Sequence, residues 1–286
     1  MIGAIATLSA RMNEHSKVGS IAAIHRYPVK SMMGEELNAA RIGVKGLQGD
    51  RVFALADPQT GKIASAKNPS KWPNLFQFRA TFTAPLNGSH HLPSARITFP
   101  DGTTALSDDT NLDTLLTSSL GKPVHFLAGA PPAGTLEEYW PDVEGLAKRD
   151  VVTDEAMPAE TFFDLGAIHL LTTATLDSLR AAYPHGRFET RRFRPNLVIE
   201  TVPGAGKFPE NDWNGKVLAL GSEVKIKITG ACGRCVMTTL EQGDLPKDVG
   251  ILKAAVQQNG SQVGAYASVI HGGIVHRGDP VRIEAA

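Results

Sequence analysis

From Val18 onward, apolar and polar residues alternate in short runs that end at proline, glycine and aspartate turns. "SIAAIHRYPVKS" is a β-rich run that stops at a proline turn. "ELNAARIGVKGLQGDRVFALADPQTGKIASA" alternates on both sides of "DPQTG", which predicts a hairpin. "ARITFPDGTTALS" predicts a second hairpin, on "PDG". The period then changes. Leu112, Leu115, Leu116 and Leu120 recur at helical spacing, with acidic residues before them and Gly121 after, so this stretch predicts a helix. "PVHFLAG" reads as a short strand. Residues 129–160 are rich in proline, charge and small residues, and read as a linker or long loop.

The second half repeats the mixed style. "AIHLLTTATLDSLRAAYPHG" predicts a strand running into a helix, capped by Thr172 or Thr173 and stopped before Pro184. "NLVIE", "KVLALG", "VKIKITG" and "VMTTLE" read as strands. "PKDVGILKAAVQQNG" reads as a helix with Pro246 early and "NG" after its end. "GAYASVIHGGIVHRGDPVRIE" reads as two more strands. Many short strands and few helices predict a mixed α+β fold, mainly β and rich in barrels, rather than a doubly wound sheet. The expected division is a flexible extension at 1–17, a β domain at 18–128, the linker or loop at 129–160 and a second domain at 161–286.

Composition narrows the function classes. The 286 residues carry 29 Lys plus Arg against 29 Asp plus Glu, so no global charge draws the chain to nucleic acid or an anionic membrane. Two cysteines in so long a chain are no disulfide framework, which points to a reducing cytoplasm. No apolar run has the length of a membrane span, and the opening segment has no basic residue ahead of its apolar part, so no signal peptide is expected.

Both cysteines lie in "ITGACGRCVMTTLEQG". A thioredoxin-type pair opens a helix, and "VMTTL" predicts none. A structural zinc site needs more ligands, and the only other pair at ligand spacing, His271 and His276, is far along the chain. Two ordinary buried cysteines are the plain alternative. Arg234 between them speaks for a thiolate that meets an anion. Three further stretches carry donors: Lys30 and Ser31 after the "YPV" turn, Asp50 and Arg51 at a strand start, and Arg191, Arg192, Arg194 and Asn196 in "RRFRPN". Each alone reads as a solvated charged turn. Together they match a phosphate-bearing ligand. Asp50 and Asp164 are candidate proton donors, though each also reads as a turn or cap aspartate.

In this order, "YPVKS", "GDRVF", "HLLTTATL", "RFRPN", "CGRCVMTT" and "GGIVHRGDPV" resemble the MOSC proteins that carry an N-terminal MOSC-type β-barrel domain, and among them the mitochondrial amidoxime-reducing components. The resemblance spans residues 18 to 284. It implies a β-barrel MOSC domain packed with the N-terminal β-barrel domain, and a molybdenum cofactor (Mo-molybdopterin) with Cys235 as its protein ligand. It further implies cofactor contacts from Lys30, Ser31, Arg51, Thr172, Thr173, Arg194, Asn196 and Arg234. Gly233 departs from the serine of the animal proteins. The implied activity is two-electron reduction of N-hydroxylated compounds such as amidoximes and hydroxylamines. The cysteines are too few for an iron–sulfur cluster, and no dinucleotide fingerprint opens a helix after a strand. Electrons are therefore expected from a separate ferredoxin-like protein, flavoprotein or cytochrome. Related domains in cofactor sulfurases leave two other readings open: a sulfur carrier using a Cys235 persulfide, and a cofactor-binding module without turnover.

Overall fold

In the computed structural model, which describes residues 17–284 apart from 87, 89 and 90, alternation along the predicted runs becomes strands. These are β1 (Lys17–Arg26), β2 (Glu35–Leu37), β3 (Ala39–Gly43), β4 (Gly46–Leu47), β5 (Phe53–Ala56), β6 (Arg79–Phe82), β7 (Ala95–Thr98), β8 (Thr104–Leu106) and β9 (His125–Ala128) in the first half. The second half carries β10 (Thr135–Trp140), β11 (Val151–Ala156), β12 (Ile168–Thr172), β13 (Leu197–Thr201), β14 (Val217–Leu220), β15 (Val224–Gly233), β16 (Gln262–His271), β17 (Gly273–His276) and β18 (Pro280–Ile283). The fold is mixed and mainly β, as the pattern predicts. Of the expected extension, residues 1–16 lie outside the described residues, and Lys17 opens β1.

Seven strands close into a barrel in the order β1-β13-β12-β16-β15-β14-β18, and β18 pairs back onto β1. β12 and β13 run parallel, which requires the crossover helix Thr173–Ala182 between them. Alternation points Val224, Ile226 and Ile228 of β15 inward and Lys225 and Lys227 outward. Their core partners include Ile21, Ile24, Leu170, Ile199 and Leu218, each 0–1% exposed. At roughly 1.5–3 kcal/mol per buried aliphatic side chain, this interior dominates the stability of the barrel.

β1 thus serves as a stave of a barrel whose other strands all come from the second half. β17 likewise leaves the second half to pair with β3. The first half builds its own core around Phe53, Phe76, Phe78, Phe99 and Trp72, and Cys235 and Met237 plug into that core. The halves are interlocked rather than joined by a tether.

Several expectations need correction. Residues 129–160 are not a plain linker or loop: β10 and β11 pair antiparallel over six positions, and Ile63 bridges to Leu136. Proline and charge at the turn mask the alternation that buries Leu136 and Glu138. "VMTTLE" is no strand, because Thr238 and Thr239 hydroxyls bond back to the Cys235 and Val236 carbonyls and wind Val236–Thr239 into a 3-10 turn. "DPQTG" makes a turn, but only Ile63 pairs back, with Ala56, and β5 takes β9 as its main partner. Helix Gly250–Asn259 begins after Pro246, and the last stretch forms three strands instead of two. The helix at Leu112–Leu120 and its left-handed Gly121 cap match the pattern. No helix among the described residues is long and apolar enough to cross a membrane.

The shared stave makes a prediction. A fragment of residues 129–286, although it carries six of the seven barrel strands, should lack a cooperative melt by circular dichroism. Addition of a peptide covering residues 17–34 should restore structure. A fragment that melts cooperatively alone would contradict the interlocked design.

Candidate functional site

Pairing of β1 with β13 sets Ile24 opposite Leu197, so the turn after β1 lies beside the "RFRPN" turn that precedes β13. His25 N–H donates to the Asn196 carbonyl (2.8 Å). The "GDR" turn joins them, since Arg51 N–H donates to the Tyr27 carbonyl (2.7 Å) and Lys30 N–H to the Phe53 carbonyl (2.9 Å). The "CGRC" end of β15 completes the wall. The resulting cleft is lined by Lys30, Ser31, Arg51, Arg194, Asn196, Arg234 and Cys235, seven of the nine residues the resemblance implies.

Thr172 and Thr173 are not brought there. Thr172 is fully buried, caps the crossover helix by accepting from Thr175 N–H, and donates to Glu210 Oε2 (2.7 Å). Thr173 accepts from Thr201 N–H. The Thr172 hydroxyl serves the helix start, and that of Thr173 ties it to the end of β13. The residue of that strand that lines the cleft is His169.

The backbone at the site is strained. Ser31 (φ 63), Arg51 (φ 49) and Arg194 (φ 54) all adopt the left-handed conformation, which is uncommon for residues other than glycine, asparagine and aspartate. Each is over-determined by its neighbours. Ser31 Oγ accepts from Ala66 N–H (3.1 Å), Arg194 Nη1 donates to Met32 O (2.7 Å), and Arg51 pairs with Asp50. Asp50 also accepts from Tyr27 N–H (2.8 Å), which makes it a structural turn residue. The Arg194 guanidinium lies 4.2 Å from the Tyr27 ring centre and that of Arg51 lies 4.9 Å away.

Burial dominates the electrostatics. It pulls Arg194 down to about 10, with Arg51 adding repulsion, and pushes Tyr27 up to about 12. It also lowers Lys30, which Asp164 opposes from 2.5 Å. For Asp164, burial is overcome by Lys30 and Lys67, and its carboxyl stays well below the usual range. The two thiols diverge. Burial and then Glu138 push Cys235 up to about 12. Cys232 goes down to about 6 despite burial, because Arg234 Nη1 lies 2.7 Å from its sulfur. Both thiols are unpaired.

Sequence reasoning missed Lys67, Ser65 and Tyr266, which also line the cleft, and Glu138, which bonds Lys67. Nothing in "SAKNPSKW" marks Lys67, because its neighbours come from distant strands. Of the arginines in "RRFRPN", Arg191 pairs at the surface with Glu189 and Asp244. Arg192 is fully buried and donates to the carbonyls of Thr238, Leu240 and Pro246, holding the segment after Cys235. His271 and His276 are exposed, and His271 pairs with Lys225, at the far end of β15 from Cys232. The histidine pair therefore does not join the cysteines as a ligand set.

These placements separate fold from site. Thr172→Ala should lower stability by about 1 kcal/mol in urea denaturation, as for a lost helix cap. Arg192→Ala should cost about 3 kcal/mol, since three buried carbonyls lose a charged donor. A stability loss for Arg192→Ala below that for Thr172→Ala would refute its role as the internal clamp.

Two family models agree with this architecture. The model of the MOSC N-terminal beta barrel domain matches residues 18–111, and that of the MOSC domain matches residues 160–282. Mitochondrial amidoxime-reducing component 1 of Mus musculus is 27% identical over 133 residues, which span 42% of this chain and 37% of that protein. Among solved structures, the YUAD protein from Bacillus subtilis aligns over 94% of this chain and 97% of its own, with 11% identity and a TM-score of 0.48. YiiM from Geobacillus stearothermophilus aligns over 42% and 55%, with 18% identity and a TM-score of 0.32. The chain therefore belongs to the MOSC-domain proteins with an N-terminal MOSC-type β-barrel domain, related to the mitochondrial amidoxime-reducing component.

Proposed function

We propose that the cleft holds a molybdenum cofactor and that the protein reduces N-hydroxylated compounds with electrons from a separate carrier. One observation carries the reading: five cations, Lys30, Arg51, Lys67, Arg194 and Arg234, converge with one thiol, Cys235, in a single cleft. Two of their donors, Arg194 Nη2 and Arg234 Nε, are buried with no hydrogen-bond partner among the described residues. Buried donors of this kind call for acceptors, and a phosphate-bearing pterin supplies them. The donor set therefore fits the group.

When bound, the cofactor supplies the two-electron chemistry. The chain's own residues do the rest. Lys30, Arg51 and Arg194 would bind the phosphate, and Ser31 and Asn196 would hold the turns that aim them. Cys235 would be the metal ligand, with Arg234 and Lys67 countering its negative charge. Asp164, fixed between two lysines, orients them and stays ionised, so it carries no proton to donate. The sulfur-carrier reading needs Cys235 as a nucleophile near neutral pH, and a thiol pushed up to about 12 suits that poorly. As a metal ligand Cys235 would be held as the thiolate, so the ligand role escapes this objection.

Protein made in a host able to synthesise the cofactor should contain molybdenum and pterin near one per chain. Cys235→Ala should lose most of the molybdenum and all activity, while Cys232→Ala keeps most of both. The unaltered protein should reduce an amidoxime with reduced viologen and stay inactive with NADH alone. Equal loss from both cysteine variants would sink the ligand assignment, and NADH-driven turnover by the isolated chain would remove the separate carrier.

A further inference from the structure

The cations of the cleft are compensated in different ways. Arg194 and Arg234 have no carboxylate within hydrogen-bonding distance among the described residues: Arg194 donates to Met32 O, and Arg234 donates to Phe193 O (2.8 Å) and Cys232 Sγ. Each lysine is matched. Lys30 Nζ lies 2.5 Å from Asp164, and Lys67 Nζ lies 3.0 Å from Glu138 and 3.5 Å from Asp164. Lys67 lines the cleft together with Cys235, and Glu138 and Lys67 act on the thiol with opposite sign, Arg234 adding to the effect of Lys67.

Glu138 arrives there through the β10–β11 hairpin. Alternation along β10 turns Leu136 and Glu138 inward, at 1% and 5% exposure. The segment carrying Lys67 runs alongside: Ile63 N–H donates to the Thr135 carbonyl and Tyr139 N–H donates to the Lys67 carbonyl, both at 2.8 Å. Backbone bonds thus hold Lys67 and Glu138 side by side. A buried carboxylate in this position cancels the lysine and repels any second anion nearby.

We propose that Glu138 is a specificity-determining residue: by neutralising Lys67 in the cleft that Cys235 lines, it makes the part of the cleft at Lys67 accept an uncharged substrate group and reject an anionic one. The phosphate of the occupant is left to Lys30, Arg51 and Arg194. This rests on reading the cleft as the cofactor and substrate site, and it names the substrate class as neutral at the reacting end.

The test uses the full-length chain without cofactor, alkylated at Cys235 by iodoacetate or by iodoacetamide. The ratio of the two rates cancels the ionisation of the thiol and reports the local charge. Trypsin cuts after Arg234 and separates the Cys232 and Cys235 peptides for mass spectrometry. Glu138→Gln should raise the iodoacetate-to-iodoacetamide ratio at Cys235 at least about three-fold, and Lys67→Met should lower it by a similar factor. An unchanged ratio in either variant, or a shift in the opposite direction, overturns the proposal. If Glu138→Gln fails to fold, Lys67→Met decides alone. In the cofactor-loaded protein, Glu138→Gln should lower KM for a carboxylate-bearing aryl amidoxime relative to its neutral parent, with kcat nearly unchanged. Expected ratios without molybdenum or turnover would remove the reductase reading and keep the charge assignment. Turnover with unshifted ratios would do the reverse.

Discussion

Closure of the barrel by β1 is the constraint on which the rest depends. The pairing of β1 with β13 does more than bury Ile21 and Ile24. It fixes where the chain exits toward Lys30 and where Arg194 and Asn196 enter. Asn196 reinforces the seam with four links, accepting from the His25 and His169 backbone N–H groups and donating to the His25 and His169 carbonyls. A slip of one residue would turn every inward side chain of β1 outward and carry the lysine turn away from the arginines.

That seam lets the protein bury charge it otherwise could not. Isolated cations in an interior are expensive, and each one here has a compensating arrangement. Lys30 and Lys67 share Asp164, Arg51 has Asp50, Arg194 has a carbonyl and the Tyr27 ring, and Arg234 has a carbonyl and Cys232. Arg194 and Arg234 keep unpaired donors inside the cleft, and three left-handed side-chain-bearing residues surround it. Strain and unmet hydrogen-bonding capacity concentrated in one place are what a preorganised anion site requires.

The interlocking of the halves has a further consequence. Cys235 sits at the end of a barrel strand of the second half yet packs in the core of the first. Arg192 clamps the turn that follows it through three carbonyls. The hairpin at 135–156, where composition suggests a tether, adds Glu138 to the same neighbourhood. The thiol's surroundings are therefore assembled from the first half, the hairpin and the barrel together, and no one segment sets them.

Much of this was legible from the chain alone. Period-two alternation marked most barrel strands, because one face of each meets an apolar interior. The helix at Leu112–Leu120 showed in its leucine spacing and Gly121, and the motif string pointed to seven of the cleft residues by their types and order. Local chemistry with a local cause was readable, as in the Thr172 cap. Its limits appear where a side chain's partner lies far along the chain. Nothing near Thr172 says that its hydroxyl meets Glu210 and not the cleft. Nothing in the "KNPSKW" turn says that Lys67 meets Glu138, since the two are 71 residues apart and are matched only by hairpin register. Alternation says that β1 is a strand, but not that it closes a barrel built by the other half. Periodicity reports which face of an element is buried, whereas strand partners and charge pairs are fixed by long-range hydrogen bonds that only the folded chain can form.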